Sequence, residues 1–170
     1  MLIDRVHYNR YGTKESIVSP KPFGFQGDVI FSQNADGKTF TVRKDFIFIT
    51  KSGKIIKIKD GFVTDLASIP SIFWTILPPF GTYTDPAIVH DWLYNHKGIL
   101  NTTQGEYPPL TLIKSECDNI FLEGMIDTNT SIWKRDILYT GVKFGGYIAW
   151  HKKRPVVMIA PSNYSIAKLI

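Results

Sequence analysis

At 170 residues, with 44% hydrophobic and 14% aromatic content, the chain carries enough apolar surface for one cored domain and too little length for two. Charged residues make up only 21%, which excludes a largely disordered chain, and the formal net charge of +5 rests on scattered Lys and Arg whose longest run is Lys152-Lys153-Arg154, a pattern that reads as a solvated surface and argues against a nucleic-acid module. Cys117 stands alone, which excludes an intramolecular disulfide and a cysteine-rich metal cluster, and neither a secretion signal nor an apolar run of roughly 20 residues is found, so a cytosolic start is expected.

Residues 1–26 read as an extended lead-in, because Pro20, Pro22 and Gly24 leave room for one short strand at most. From 27 to 65 the chain turns β-branched and aromatic. Runs at 28–32, 39–43, 45–50 and 54–59, with turn residues at 34–37 and 51–53, predict an antiparallel meander. The helical part, 66–154, opens with a short helix within 68–77 that Pro70 starts and Pro78-Pro79 stops. A second helix runs from Thr84 or Asp85 as N-cap, with Pro86 in its first turn, to about Lys97, where Gly98 ends it. A polar loop fills 99–109. Helix is expected again over 110–126, with Leu110, Ile113, Cys117, Ile120, Phe121 and Met125 on one face. A last helix spans 131–150, where Gly145-Gly146 permits close packing or a kink, and a tail, 155–170, offers 156–159 as a strand or docking segment. The fold class is α+β: a single domain with an N-terminal antiparallel β-meander packed against three to four helices.

The chemistry concentrates in Val89-His90-Asp91-Trp92-Leu93-Tyr94. His90 and Tyr94, four apart, share a helix face, while Asp91 points about 100° away. Pro86, Ala87, Leu93 and Tyr94 surround His90 on the helical wheel, so the imidazole should face the protein. A buried imidazole needs a partner on each nitrogen. Asp118 on the following helix can accept from one of them, fixing the tautomer and leaving the other to take a proton from water. The same residues also suit a satisfied core histidine with a structural acid beside it. Thr64-Asp65-Leu66-Ala67-Ser68 either caps the next helix or brings Asp65 to His90 and Asp91, an oxygen-rich group that favours calcium or another oxygen-preferring divalent cation over zinc.

His-Asp-x-x-Tyr on one helix, with Cys-Asp and a nearby aromatic on the next, resembles the catalytic helix pair of secreted phospholipase A2 enzymes over roughly residues 84–125. The resemblance implies that His90 activates water, Asp118 orients His90, Tyr94 holds Asp118 and Asp91 binds calcium. The chain departs from that family in having no glycine-rich loop before His90 and no disulfides. A wider resemblance, over roughly 25–150, is carried by Gly61-Phe62-Val63-Thr64-Asp65-Leu66-Ala67-Ser68-Ile69-Pro70, by Pro-Pro-x-Gly at 78–81, by an Ala before His-Asp-Trp-Leu-Tyr and by a later acid-x-x-Phe helix. On these motifs the chain is similar to the phage-associated domain of unknown function 1353, which implies a bacteriophage or prophage origin; synthesis in a bacterial host's cytoplasm is then expected, with the virion as an alternative location.

Two functional expectations follow. One is a phage-encoded, hydrolase-like protein whose His90/Asp118 dyad cleaves phospholipid esters at a membrane surface, with Asp91 and Asp65 as metal ligands. The other is a non-catalytic virion component of a tail, neck or capsid-associated assembly, docking on other phage structural proteins through its terminal segments.

Overall fold

A computed structural model of the chain describes residues 21–66, 77, 80–100 and 110–151, together with the backbone of 7–8 and 14–15. The short helix expected within 68–77, most of the loop 99–109 and the tail 155–170 lie outside these residues.

The fold is α+β. Strands β1 (His7–Tyr8) and β2 (Lys14–Glu15) pair antiparallel in the lead-in, where the sequence leaves room for one strand at most. Then come β3 (Gly24–Gln26), β4 (Phe31–Gln33), β5 (Phe40–Val42), β6 (Phe46–Ile49), β7 (Ile55–Ile58) and β8 (Val63–Thr64). The two expected turns make two hairpins, β4 with β5 and β6 with β7. The first is tied by Asp36, whose carboxylate accepts from the Lys38 and Thr39 amides at 2.9 Å. The hairpins do not continue into one meander. β3 adds to β6 and β8 adds to β5, giving two three-stranded antiparallel sheets of order β3-β6-β7 and β4-β5-β8. Alternation sets the inner faces: Phe46 and Phe48 of β6 lie opposite Ile58 and Ile56 of β7, and all four are buried.

Three helices complete the described domain: α1 (Thr84–Asn95), α2 (Lys114–Asp127) and α3 (Ile132–His151). α1 is the central one. Ten of its twelve residues are buried, the condition of a helix apolar almost all round and packed on every side. Its N-cap is Tyr83, one residue before the expected Thr84 or Asp85 and without a side-chain cap, while Thr84 Oγ1 accepts from the Gly81 amide at 2.9 Å. Its end is fixed at Gly98, which has φ +74° and whose amide donates to Leu93 at 2.8 Å. The chain then runs extended: Leu112 donates to Gly98 and Leu100 donates to Leu110. That pairing delays α2 to Lys114, four residues after the expected start, and leaves Leu110 and Ile113 exposed. Glu116 accepts from the Ile113 amide at 2.9 Å and closes the new helix start. The rest of the expected α2 face, Cys117, Ile120, Phe121 and Met125, is buried against α1 and α3.

Candidate functional site

The packing of α1 on α2 brings the residues of the His-Asp-x-x-Tyr segment to Asp118. His90 Nε2 lies 3.0 Å from Asp118 Oδ1, and the Tyr94 hydroxyl donates to the same oxygen at 2.6 Å. The rings of His90 and Tyr94 meet at a tilt of 42° with centroids 4.1 Å apart, the consequence of their four-residue spacing, and Phe121 of α2 covers the imidazole at 5.0 Å. His90 is 1% exposed and Asp118 2%.

A fourth member escaped the sequence reading. Lys114 lies in the first turn of α2, where its charge opposes the helix dipole, and it turns its ammonium inward instead. Nζ donates to Asp118 Oδ2 at 2.7 Å, to the Val142 carbonyl at 3.0 Å and to the Lys143 carbonyl at 3.3 Å. The signal was present as a Lys-x-x-x-Asp spacing on one helix face. Gly146 of α3 makes the room. A Cβ there would stand 2.6 Å from the Tyr94 hydroxyl and 3.2 Å from Lys114 Nζ, so of the two readings of Gly145-Gly146 close packing holds at Gly146. The end of α3 is pinned on α1 by Trp150, whose carbonyl accepts from Lys97 Nζ and whose ring meets Tyr94 edge-on at 5.1 Å.

These contacts decide protonation. Burial opposes the Asp118 charge, but hydrogen bonds from His90, Lys114 and Tyr94 outweigh it and hold the carboxyl below its ordinary value. An ionised carboxylate only accepts, so His90 Nε2 carries the proton of this contact, and in the neutral form of the ring Nδ1 is the basic nitrogen. Burial and the Asp118 carboxylate raise the Tyr94 phenol far above its usual range, which keeps it a donor. Burial and then Asp118 push the neighbouring Cys117 thiol up to about 12, so it is not a thiolate nucleophile at neutral pH.

Asp91 and Asp65 are not brought together in the way expected. Asp91, buried on α1, accepts at Oδ2 from the Thr64 hydroxyl, which in turn accepts from the Leu66 amide at 3.0 Å. Asp65 is exposed. Strand alternation explains the exchange: Thr64 is the inward residue of β8, so its neighbour cannot share that face. Among the described residues no three His, Cys, Asp or Glu side chains converge on a point that could hold a metal ion. The expected group of Asp65, Asp91 and His90 is therefore not assembled by them. A cavity of about 280 Å³ opens elsewhere, between β3, β6 and the end of α2, lined by Phe48, Lys51, Glu123 and Asp127, and none of the network's residues borders it.

The model of a family described as a protein of unknown function, DUF1353, matches residues 40–142, a span that holds β5 through β8, α1, α2, the first half of α3 and every side chain of the network. No curated protein and no solved structure matches the chain. The matched span exceeds half of the sequence, and the chain belongs to the DUF1353 family.

Proposed function

We propose that the chain is a hydrolase-like protein in which His90 and Asp118 activate water for ester cleavage, with phospholipid esters as the substrate class suggested by the likeness to secreted phospholipase A2. One observation carries this reading: a single oxygen of Asp118 accepts from both His90 Nε2 and Tyr94, the arrangement that orients an imidazole for base catalysis. In the reaction, His90 Nδ1 takes a proton from water as the water oxygen bonds to the ester carbonyl carbon. Asp118 stabilises the imidazolium that forms. The proton then passes to the departing alkoxide as the ester C–O bond breaks. Tyr94 and Lys114 are positioning residues that act through Asp118.

Asp91 is the position at which the likeness implies calcium. The described donors do not assemble such a site, and no step is routed through a metal. The test is fatty-acid release from phospholipid vesicles by the purified full chain, with and without added calcium. The wild type should release fatty acid, and His90→Ala should lower the rate about 10²- to 10⁴-fold with its circular dichroism unchanged. Absence of release by the wild type in both conditions overturns the proposal.

A second reading is favoured by burial. His90 is 1% exposed, and among the described residues no buried side-chain nitrogen or oxygen lacks a partner, the state of a network that serves structure alone. On that reading the protein is a phage virion component, and the network staples α1, α2 and α3. Recovery of the protein in purified particles, with His90→Ala incorporated less well and no esterase activity in either form, favours it.

A further inference from the structure

α3 buries one face and leaves the other bare. Leu138, Val142 and Gly146 pack inward, whereas Trp133, Phe144, Tyr147 and Ile148 lie on the opposite side within about 100° of arc, over roughly 22 Å of helix. Phe144 and Ile148 are each 78% exposed. An apolar stripe of this kind on a helix already docked to a core is a surface that lacks its partner.

Charge identifies the partner. Six of the 20 Lys and Arg residues fall between 132 and 154, but only one of the 15 Asp and Glu, which is Asp136. This stretch therefore carries the whole formal charge of +5, while the remainder balances at fourteen of each sign. Within α3 itself Lys134, Arg135 and Lys143 stand against Asp136, a net +2, and the other three basic residues lie beyond its end in sequence. Lys134 sits over the Trp133 ring at 5.4 Å and Lys143 over Tyr139 at 5.8 Å, and Lys152-Lys153-Arg154 follows the helix in sequence.

We infer that the outer face of α3 docks on an anionic lipid membrane, with Phe144, Tyr147 and Ile148 entering the headgroup layer and the basic residues of α3 drawing the anionic headgroups. Aromatic and aliphatic side chains together with Lys and Arg on one helix are the signature of a helix lying in the interfacial plane. Among the described residues no helix is long and apolar enough to cross a membrane, which fits a surface-lying mode. A second copy would oppose two stretches of the same sign. A nucleic acid would satisfy the charge and leave the side chain of Ile148 in water.

This inference stands on α3 and not on the His90/Asp118 reaction. The test is flotation of the full chain with vesicles of phosphatidylcholine alone or mixed with phosphatidylserine. Binding is expected to the mixed vesicles and to weaken at least about tenfold on phosphatidylcholine alone or in high salt. A double variant, Phe144→Asp with Ile148→Asp, should bind at least about tenfold more weakly with unchanged circular dichroism, because both side chains are exposed. His90→Ala should float like the wild type, which keeps failure of catalysis separate from failure of docking. Equal binding by the double variant, or no binding to mixed vesicles, overturns the inference. A dimer in light scattering that the double variant dissociates, without vesicle binding, assigns the face to a second copy and also overturns it.

Discussion

The two faces of α3 invert the ordinary distribution of polarity in opposite ways. Its inner face closes over charged and polar groups, Lys114, Asp118, His90 and Tyr94, held in the interior by mutual hydrogen bonds. Its outer face holds Phe144, Tyr147 and Ile148 in water. The inner inversion is compensated within the chain and the outer one is not. Each invites a different use: the compensated network fixes geometry, and the uncompensated stripe awaits a surface.

The sharpest way to break this contrast is to remove the centre of the network. Asp118→Ala leaves three donors without their acceptor and should lower stability by about 3–5 kcal/mol, measured by denaturant unfolding. The pH dependence has a fixed sign. The Asp118 carboxyl is held below its ordinary 3.8, so its contribution is complete above that value and is lost as pH falls through the folded-state value. Asp118→Asn should flatten that acid limb of a Tm-against-pH curve. A curve unchanged by the substitution would show that the network is not the source.

Gly146→Ala comes next in size. Its methyl meets the Tyr94 hydroxyl and Lys114 and should cost about 1–3 kcal/mol, in spite of the better helix propensity of alanine. Tyr94→Phe removes the hydroxyl, so in a double-mutant cycle the alanine should cost less in the Tyr94→Phe background. Additive effects would mean that the close approach is not what limits this position. A smaller gain is expected at Asp85, in the first turn of α1, whose carboxyl burial pushes up to about 6. Because the folded-state value is raised, stability is greatest below 3.8 and falls as pH rises from there to about 6. Asp85→Asn should add about 1–2 kcal/mol at neutral pH, part of the shift being offset by the helix dipole, and should remove that slope. On the outer face, Phe144→Asp should change stability by no more than about 0.5 kcal/mol, since the side chain leaves no packing behind. A larger loss would mean that the stripe is covered in solution.

Much of this contrast is legible in the sequence, and the exceptions have physical causes. The spacing of His90 and Tyr94 on a helical wheel predicts their shared face and allows their meeting with Asp118, because helix periodicity is local and α1 and α2 are long enough to express it. The start of α2 is not legible. Leu110 and Ile113 continue the helical pattern, yet the backbone pairing of 98–100 with 110–112 holds that stretch extended. The hairpins follow from their turns, whereas β3 and β8 join the sheets through two or three non-local pairs that no local pattern announces. Thr64 rather than Asp65 meets Asp91 because a strand reverses its face at each residue. Lys114 was hidden by its position, since a lysine at a helix start reads as a surface residue until α3 supplies two carbonyls to receive it.

The role of the network as a base-orienting device is tested with the least disturbance of shape by Asp118→Asn. The measurement is the rate of phospholipid ester hydrolysis by the folded variant relative to the wild type, at a pH above the acid limb of the stability curve. The predicted result is a fall in kcat of about 10²- to 10⁴-fold with KM little changed, because the amide can present its own N–H to His90 and disfavour the productive tautomer. An undiminished kcat in the folded variant would contradict it.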